Sequence, residues 1–554
     1  MTEAANIAGA LSAMARQRPE AVALRVPRRA SRSSVLPEYL DMSYAELDAS
    51  SDRDAAALAA AGIVRGMKTA LMVRPGRELF SLMFALFKLG AVPVLIDPGI
   101  DRRALRECLA EAAPSAFVGI PLAQIARLVL GWARASVRIV VTVGGAFGWG
   151  GLRLARLREA VPAQGFVAAP TRPDELAAVL FTSGSTGVPK GVEYLHRHFL
   201  AQVELLREAF ALSPGHVNMP TFPPFALFDP ALGSTSVIPD MDPTRPASAD
   251  PRKLVAAIER YGVDMLFGSP ALLDTLSRHC ERHGVRLPTL RRVISAGAPV
   301  APAILARLKP WLDPAAEIYT PYGATECLPL AVIESAELLG DTRAQTERGA
   351  GTCVGRPLAA NCVRIIAITD EPIADWSGVR ELGVGEVGEI TVAGPTTTEA
   401  YHARPAATAL AKIRDGARIV HRMGDLGYFD ALGRLWFCGR KSQRVRAAGG
   451  DLYTEQVEPI FNAIAGVRRS ALVGVGTAGA QRPVLLLELE SAAADAAERV
   501  EAEARNRAAA FAHTRGIGDV LFHAQFPVDI RHNAKIGREA LARWAGTRLA
   551  KAAR

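Results

Sequence analysis

The sequence predicts a two-part α/β protein: a large N-terminal domain of parallel-type sheets with helices over residues 1–440, β-rich from about 350, then a small mobile α+β lid over 441–554. Three observations carry this. Short β-rich runs alternate with helix-period segments through the first part, the texture then changes to strands and tight turns, and the last segment mixes the two again. A chain of 554 residues, 49% hydrophobic and 22% charged, is long and apolar enough to bury several cores, which excludes a disordered or disulfide-stapled scaffold.

The segment MTEAANIAGALSAMARQRPE carries Glu3 early and lacks the continuous apolar core of a secretion signal. It reads as an amphipathic helix, with a cytoplasmic address as the expectation. The longest apolar stretch, Leu79 to Ile96, is interrupted by Lys88, Gly90 and Pro93. It therefore predicts a buried helix from Glu78 to Leu89 and a strand from Ala91 to Ile96, and no membrane span. Further strands are expected at Ala116–Ile120, Val137–Val143, Ala177–Phe181, Met265–Phe267 and Arg292–Ser295, with a helix at Lys253–Tyr261. The β-rich part is marked by Val363–Ile368, Gly385–Gly394 and Gly433–Arg440, and the C-terminal part by strands Ser470–Val475 and Val484–Leu489 with a helix Ala492–Ala512.

The formal net charge is +9, spread along the chain without an aromatic-interleaved basic stripe, so no nucleic-acid partner is expected. The six cysteines form no CxxC pair and no ligand-like spacing with histidine, and read as reduced, mostly buried thiols.

The segment FTSGSTGVPKG, Phe181 to Gly191, follows a predicted strand and combines hydroxyls (Thr182, Ser183, Ser185, Thr186), glycines (Gly184, Gly187) and the cation of Lys190. Freed backbone N–H groups, hydroxyls and an ammonium make an anion cradle, here for phosphates. The spacing is not that of the Walker loop, because Pro189 and Gly191 stand where that pattern needs Gly and Ser or Thr. A plain Gly/Ser connecting loop would account for the composition but not for the lysine.

With this loop come SAGAP (Ser295–Pro299), YGATE (Tyr322–Glu326), MGDLGYFDALGRLWFCGR (Met423–Arg440) and RHNAKIGR (Arg531–Arg538), in order. Together they resemble the adenylate-forming superfamily of acyl-CoA synthetases, peptide-synthetase adenylation domains and luciferases, over almost the whole chain. The resemblance implies ATP and Mg²⁺ as cofactors. It implies that Ala296, Gly297, Ala298, Pro299, Tyr322 and Gly323 border the adenine, that Thr325 meets the α-phosphate, and that Glu326 positions the metal. Asp425 would bind the ribose hydroxyls with Arg440 nearby, and Lys535 would enter with the lid to hold the transferring groups. The bland alternatives are a surface helix-start residue for Glu326, a common turn for Asp425 and a solvated loop lysine for Lys535, and it is the place of each in the series of motifs that lifts them.

Departures narrow the resemblance. Ala226 stands where many acyl-CoA synthetases carry a gating histidine, and Ser442, next to Lys441, stands where the hinge residue is usually aspartate or lysine; Gly449 and Gly450 retain the pair that suits CoA. Longer stretches, Leu95–Asp101, Thr221–Gly233, Ser236–Ala247 and Leu452–Asn462, resemble the β-lactone synthetases of long-chain olefin biosynthesis end to end. That likeness implies a 2-alkyl-3-hydroxyalkanoic acid substrate whose own hydroxyl closes the lactone as AMP leaves. It also implies assembly with α/β-hydrolase-type and reductase-type enzymes. Phe225, Ala226 and Phe228 are expected to bind the alkyl part, although aromatic residues at this density equally read as plain core. His196 and His198 read as structural residues of a helix start, and no base for the β-hydroxyl stands out. The other readings are a long-chain acyl-CoA synthetase or fatty acyl-AMP ligase, and a catalytically silent nucleotide-binding or assembly protein.

Overall fold

The computed structural model describes residues 5–28, 35–97, 99–145, 150–162, 165–182, 189–490, 496–528 and 536–552. The apolar stretch behaves as its punctuation predicts. The helix Arg77–Leu89 is buried on all sides from Leu79 onward and ends at Gly90, whose φ of 68° is the left-handed conformation that favours glycine. Lys88, 2% exposed, is held inside by Asp48 at 2.7 Å and Asp52 at 2.5 Å, so the buried charge is neutralised by two carboxylates. The strand Val92–Ile96 follows.

That strand belongs to a seven-stranded sheet ordered Leu152–Arg153, Ile139–Thr142, Ala116–Gly119, Lys68–Met72, Val92–Ile96, Leu176–Thr182, Lys190–Leu195. All neighbours are parallel except the last two strands, an antiparallel pair. A nine-stranded sheet has a parallel centre of Glu317–Ala324, Arg292–Ile294, Met265–Phe267, Val217–Pro220, Thr235–Val237 and Val22–Pro27, with antiparallel strands at both edges. Helices cover both sheets, as parallel crossovers require. The β-rich part is a separate antiparallel sheet built on Cys362–Ile366, Gly388–Ala393, Arg418–Phe429 and Leu435–Arg440. After residue 454 the strands Val467–Val475, Arg482–Leu489 and Asp519–Phe522 form a three-stranded sheet with the helices Thr454–Asn462, Ala497–Ala510 and Arg538–Ala552, around apolar clusters of their own.

The expected elements are present with ends shifted by a few residues; of the helix expected over Ala492–Ala512 the part described runs Ala497–Ala510, and residues 492–495 lie outside the described residues. The cysteines are free thiols, all buried except Cys362. Among the described residues no helix is long and apolar enough to cross a membrane.

His196 and His198 begin the helix His196–Phe210 as buried, neutral caps. His196 Nδ1 accepts from the Ile7 N–H at 3.3 Å and His198 Nδ1 accepts from the Leu195 N–H at 3.1 Å. Burial pushes the two imidazoles down to about 4 and about 3. The unfolded chain therefore takes up these protons first as pH falls below about 6.5, and each histidine withdraws stability between there and its folded value. Replacing His196 with Gln should flatten the acid side of the stability curve, by on the order of a few kcal/mol between pH 7 and pH 4, read by denaturant unfolding at both pH values. Parallel curves for the two proteins would refute this.

Candidate active site

The site gathers at the C-terminal ends of the parallel strands, where both large sheets open. From the seven-stranded sheet, Leu176–Thr182 runs into the predicted phosphate loop and Lys190–Leu195 returns, with Thr182 opposite Lys190. Ser183, Gly184, Ser185, Thr186 and Gly187 lie outside the described residues, as do Lys535 and the side chain of Thr182. The Lys190 ammonium sits 4.7 Å from the centroid of the Tyr401 ring.

From the nine-stranded sheet, Arg292–Ile294 leads into Ser295–Pro299, where Gly297 has φ +92° and lines the cavity with Ala296. Ala298 and Pro299 continue this loop, half-buried and exposed respectively. The hairpin from Glu317–Ala324 into Cys327–Glu334 pairs Ala324 with Cys327, so Thr325 and Glu326 form a tight turn at its tip. Gly323 is required just before it: a Cβ there would come within 2.8 Å of the Cys327 carbonyl oxygen. The turn is anchored from three sides. The Tyr194 hydroxyl donates to the Thr325 carbonyl, the Thr398 N–H donates to the Glu326 carbonyl at 2.9 Å, and the Tyr401 hydroxyl donates to Glu326 Oε1.

The antiparallel sheet supplies Asp425 and Arg440, directly paired across the strands Arg418–Phe429 and Leu435–Arg440. Asp425 accepts from the Tyr322 hydroxyl at 2.6 Å and pairs with the Arg440 guanidinium at 2.9 Å. Burial raises the Asp425 carboxyl above its ordinary range while Arg440 opposes the rise. Burial together with the Asp425 charge holds the Tyr322 phenol well above its ordinary range, so it stays a donor.

Lys190, Ala296, Gly297, Tyr322, Gly323, Thr325, Glu326 and Arg440 all line one cavity of about 1360 Å³, with Asp425 one hydrogen bond behind its wall. Phe225 and Phe228 line it too, with their rings near Phe267 and Phe199. Ala226, expected beside them, packs into the apolar core and is not on the cavity surface. At the foot of the C-terminal segment, Lys441 donates to Glu389 Oε1 at 3.0 Å and to the Thr369 carbonyl at 2.9 Å. Glu389 in turn forms a fully buried pair with Arg422 at 2.7 Å.

Sequence reasoning missed Tyr401 and Lys412. Lys412 is buried, donates to Thr398, and is pushed down to about 8 by burial against the opposing pull of Glu326. Neither residue carries a local signature; Tyr401 reaches Glu326, and Lys412 reaches the Thr398 that holds the turn, only once these distant segments pack together.

The chain belongs to the AMP-binding enzyme family, whose match spans residues 11–402, and it is an adenylate-forming enzyme. It is 60% identical over 559 residues to the olefin beta-lactone synthetase of Stenotrophomonas maltophilia (strain K279a), covering all of both chains. It is equally 60% identical over 551 residues to the olefin beta-lactone synthetase of Xanthomonas campestris pv. campestris, covering 98% of each. Among solved structures it resembles the amide bond synthetase McbA from Marinactinospora thermotolerans, with TM-score 0.77 at 23% identity over 97% of this chain and 99% of that one. It also resembles ATP-bound MatB from Rhodopseudomonas palustris, with TM-score 0.77 at 21% identity over 99% of each chain. At such identities the structural likeness speaks for the fold alone.

Changing Asp425 to Ala leaves the half-buried Arg440 charge and the Tyr322 hydroxyl without their acceptor. The ligand-free protein should lose about 1–3 kcal/mol of stability in denaturant unfolding, mainly from the buried Tyr322 hydroxyl left unpaired. A loss within error of zero would show that the pair contributes nothing to the fold.

Proposed function

We propose that this enzyme is an ATP-dependent β-lactone synthetase: it adenylates a 2-alkyl-3-hydroxyalkanoic acid and closes it to a β-lactone, releasing pyrophosphate and AMP. The observation that carries the reading is the large, mainly apolar cavity opening on the Thr325–Glu326 turn. Full-length identity to two synthetases of that name supports it.

Charge and hydrogen bonding assign the roles. The ammonium of Lys190 and the loop before it would hold the phosphates of ATP. Asp425, kept ready by Tyr322 and Arg440, would accept from the ribose hydroxyls. Thr325 would meet the α-phosphate as the substrate carboxylate oxygen attacks phosphorus and pyrophosphate departs. Lys535, carried by the C-terminal segment as a mobile lid turning at Lys441–Ser442, would stabilise the negative charge developing there.

Mg²⁺ fits the donors present: Glu326 offers one carboxylate, oriented by Tyr401, and the described residues contain no cluster of three potential ligands. An ion held by one carboxylate, water and phosphate oxygens suits that set and would neutralise phosphate charge.

The resulting mixed anhydride carries its nucleophile with it. The β-hydroxyl oxygen attacks the acyl carbon, the bond to AMP breaks, and the hydroxyl proton is released. An intramolecular nucleophile has a high effective molarity, and loss of AMP offsets ring strain. Purified enzyme given ATP, Mg²⁺ and a synthetic 2-alkyl-3-hydroxy acid without CoA should form a β-lactone with stoichiometric AMP, identified by proton NMR. Turnover that appears only when CoA is added would replace this reading with an acyl-CoA synthetase.

Lys535→Ala should abolish pyrophosphate release while ATP binding is largely kept; unchanged turnover would remove Lys535 from the mechanism. We place this protein in an assembly with α/β-hydrolase-type and reductase-type enzymes of the same pathway.

A further inference from the structure

The helix Pro121–Leu130 turns part of its apolar surface outward, while Ala123, Ala126 and Leu130 pack against the core. A helix covering a sheet normally buries its apolar stripe and shows water its polar face. Here the buried side chain is Gln124, whose amide donates to the Val141 carbonyl at 3.1 Å and whose oxygen accepts from Arg127 Nε at 3.1 Å. Leu122, Ile125 and Val129 are instead 63%, 39% and 76% exposed. Their spacing of i, i+3 and i+7 puts them on one stripe. Gln124, tied to the neighbouring strand, fixes which way the stripe faces.

The stripe is not a stray surface patch. Leu122, Ile125 and Val129 line the cavity that also holds Lys190, Thr325 and Glu326. They do so alongside Met72 and Ile96, at the ends of two parallel strands of the seven-stranded sheet. The cavity thus has two apolar walls, this one and the Phe225–Phe228 wall beside the nine-stranded sheet. Its volume of about 1360 Å³ exceeds the roughly 300–1,000 Å³ of ordinary small-molecule sites.

We propose that the Leu122, Ile125 and Val129 stripe is the binding surface for one of the substrate's two alkyl chains, the other chain lying against Phe225 and Phe228. The inference rests on the β-lactone synthetase reading, because a 2-alkyl-3-hydroxy acid carries two hydrocarbon tails that diverge next to one carboxylate. Covering the stripe with a chain removes apolar surface from water on both partners, worth about fourfold in binding per buried methylene.

The test is kcat/KM for lactone formation by wild type and by the double variant Leu122→Gln, Val129→Gln, with the two chains lengthened independently. Glutamine is a good helix former, so these exposed positions tolerate the change. For wild type, kcat/KM should rise with the length of both chains. The variant should lose the gain for one chain only, about tenfold or more on long substrates and mainly in KM, and match wild type on a substrate with short chains. An unchanged chain-length profile, or an equal loss at every length, would overturn the proposal while leaving the lactone synthetase reading standing. No lactone from wild type at any length would overturn both.

Discussion

The hydrogen bond from the Tyr322 hydroxyl to the Asp425 carboxylate, with Arg440 completing the pair, joins two sheets that share no strand. Tyr322 stands near the tip of a hairpin in the nine-stranded sheet, and Asp425 lies in the middle of the 12-residue strand Arg418–Phe429 of the antiparallel sheet. A carboxylate and a phenol are costly to bury singly, and here each satisfies the other while the half-buried Arg440 adds its charge. The relative placement of the two sheets is thereby tied to the position of the hairpin tip. Everything proposed for the nucleotide depends on that placement.

The same economy recurs at the tip. The Thr325–Glu326 turn takes a donor from Tyr194 on the seven-stranded sheet and donors from Thr398 and Tyr401 on the segment leading into the antiparallel sheet. Three layers therefore converge on two residues. A site built from contacts among rigid strands holds its geometry better than one built on free loops, and electrostatic catalysis needs donors already in place when charge develops. The C-terminal segment follows Lys441, whose ammonium rests on the Glu389 carboxylate next to Arg422.

A second constraint is solubility. A cavity shaped for hydrocarbon must leave apolar side chains uncovered until substrate arrives, and exposed apolar surface invites association. The helix Pro121–Leu130 limits this by turning Leu122, Ile125 and Val129 to the cavity wall while Gln124 ties another face to the sheet. Lys88 shows the converse arrangement: a charge inside the core, kept there by Asp48 and Asp52.

Much of this protein was legible in its sequence because the signals are local. Gly90 after an apolar run, the period of the strands, and a Gly/Ser/Thr loop ending in Lys190 each act within a few residues, and the order of the five motifs marked the adenylate-forming class. Ala226 shows the limit of that reading: it was placed correctly in the chain beside Phe225 and Phe228, but only packing decided that its short side chain falls into the core. Tyr401 and Lys412 were invisible for a related reason. Tyr401 reaches Glu326 across 75 residues of sequence, and no pattern of spacing encodes a contact that exists only once one sheet has docked on another. The sequence by itself determined the elements and the class of reaction, since these rest on residue type, short-range geometry and the order of local motifs. The tertiary structure alone decided which side chains share the cavity, which carboxylate is paired, and which way the helix Pro121–Leu130 faces, since burial and hydrogen bonding between distant segments are settled only when the layers close.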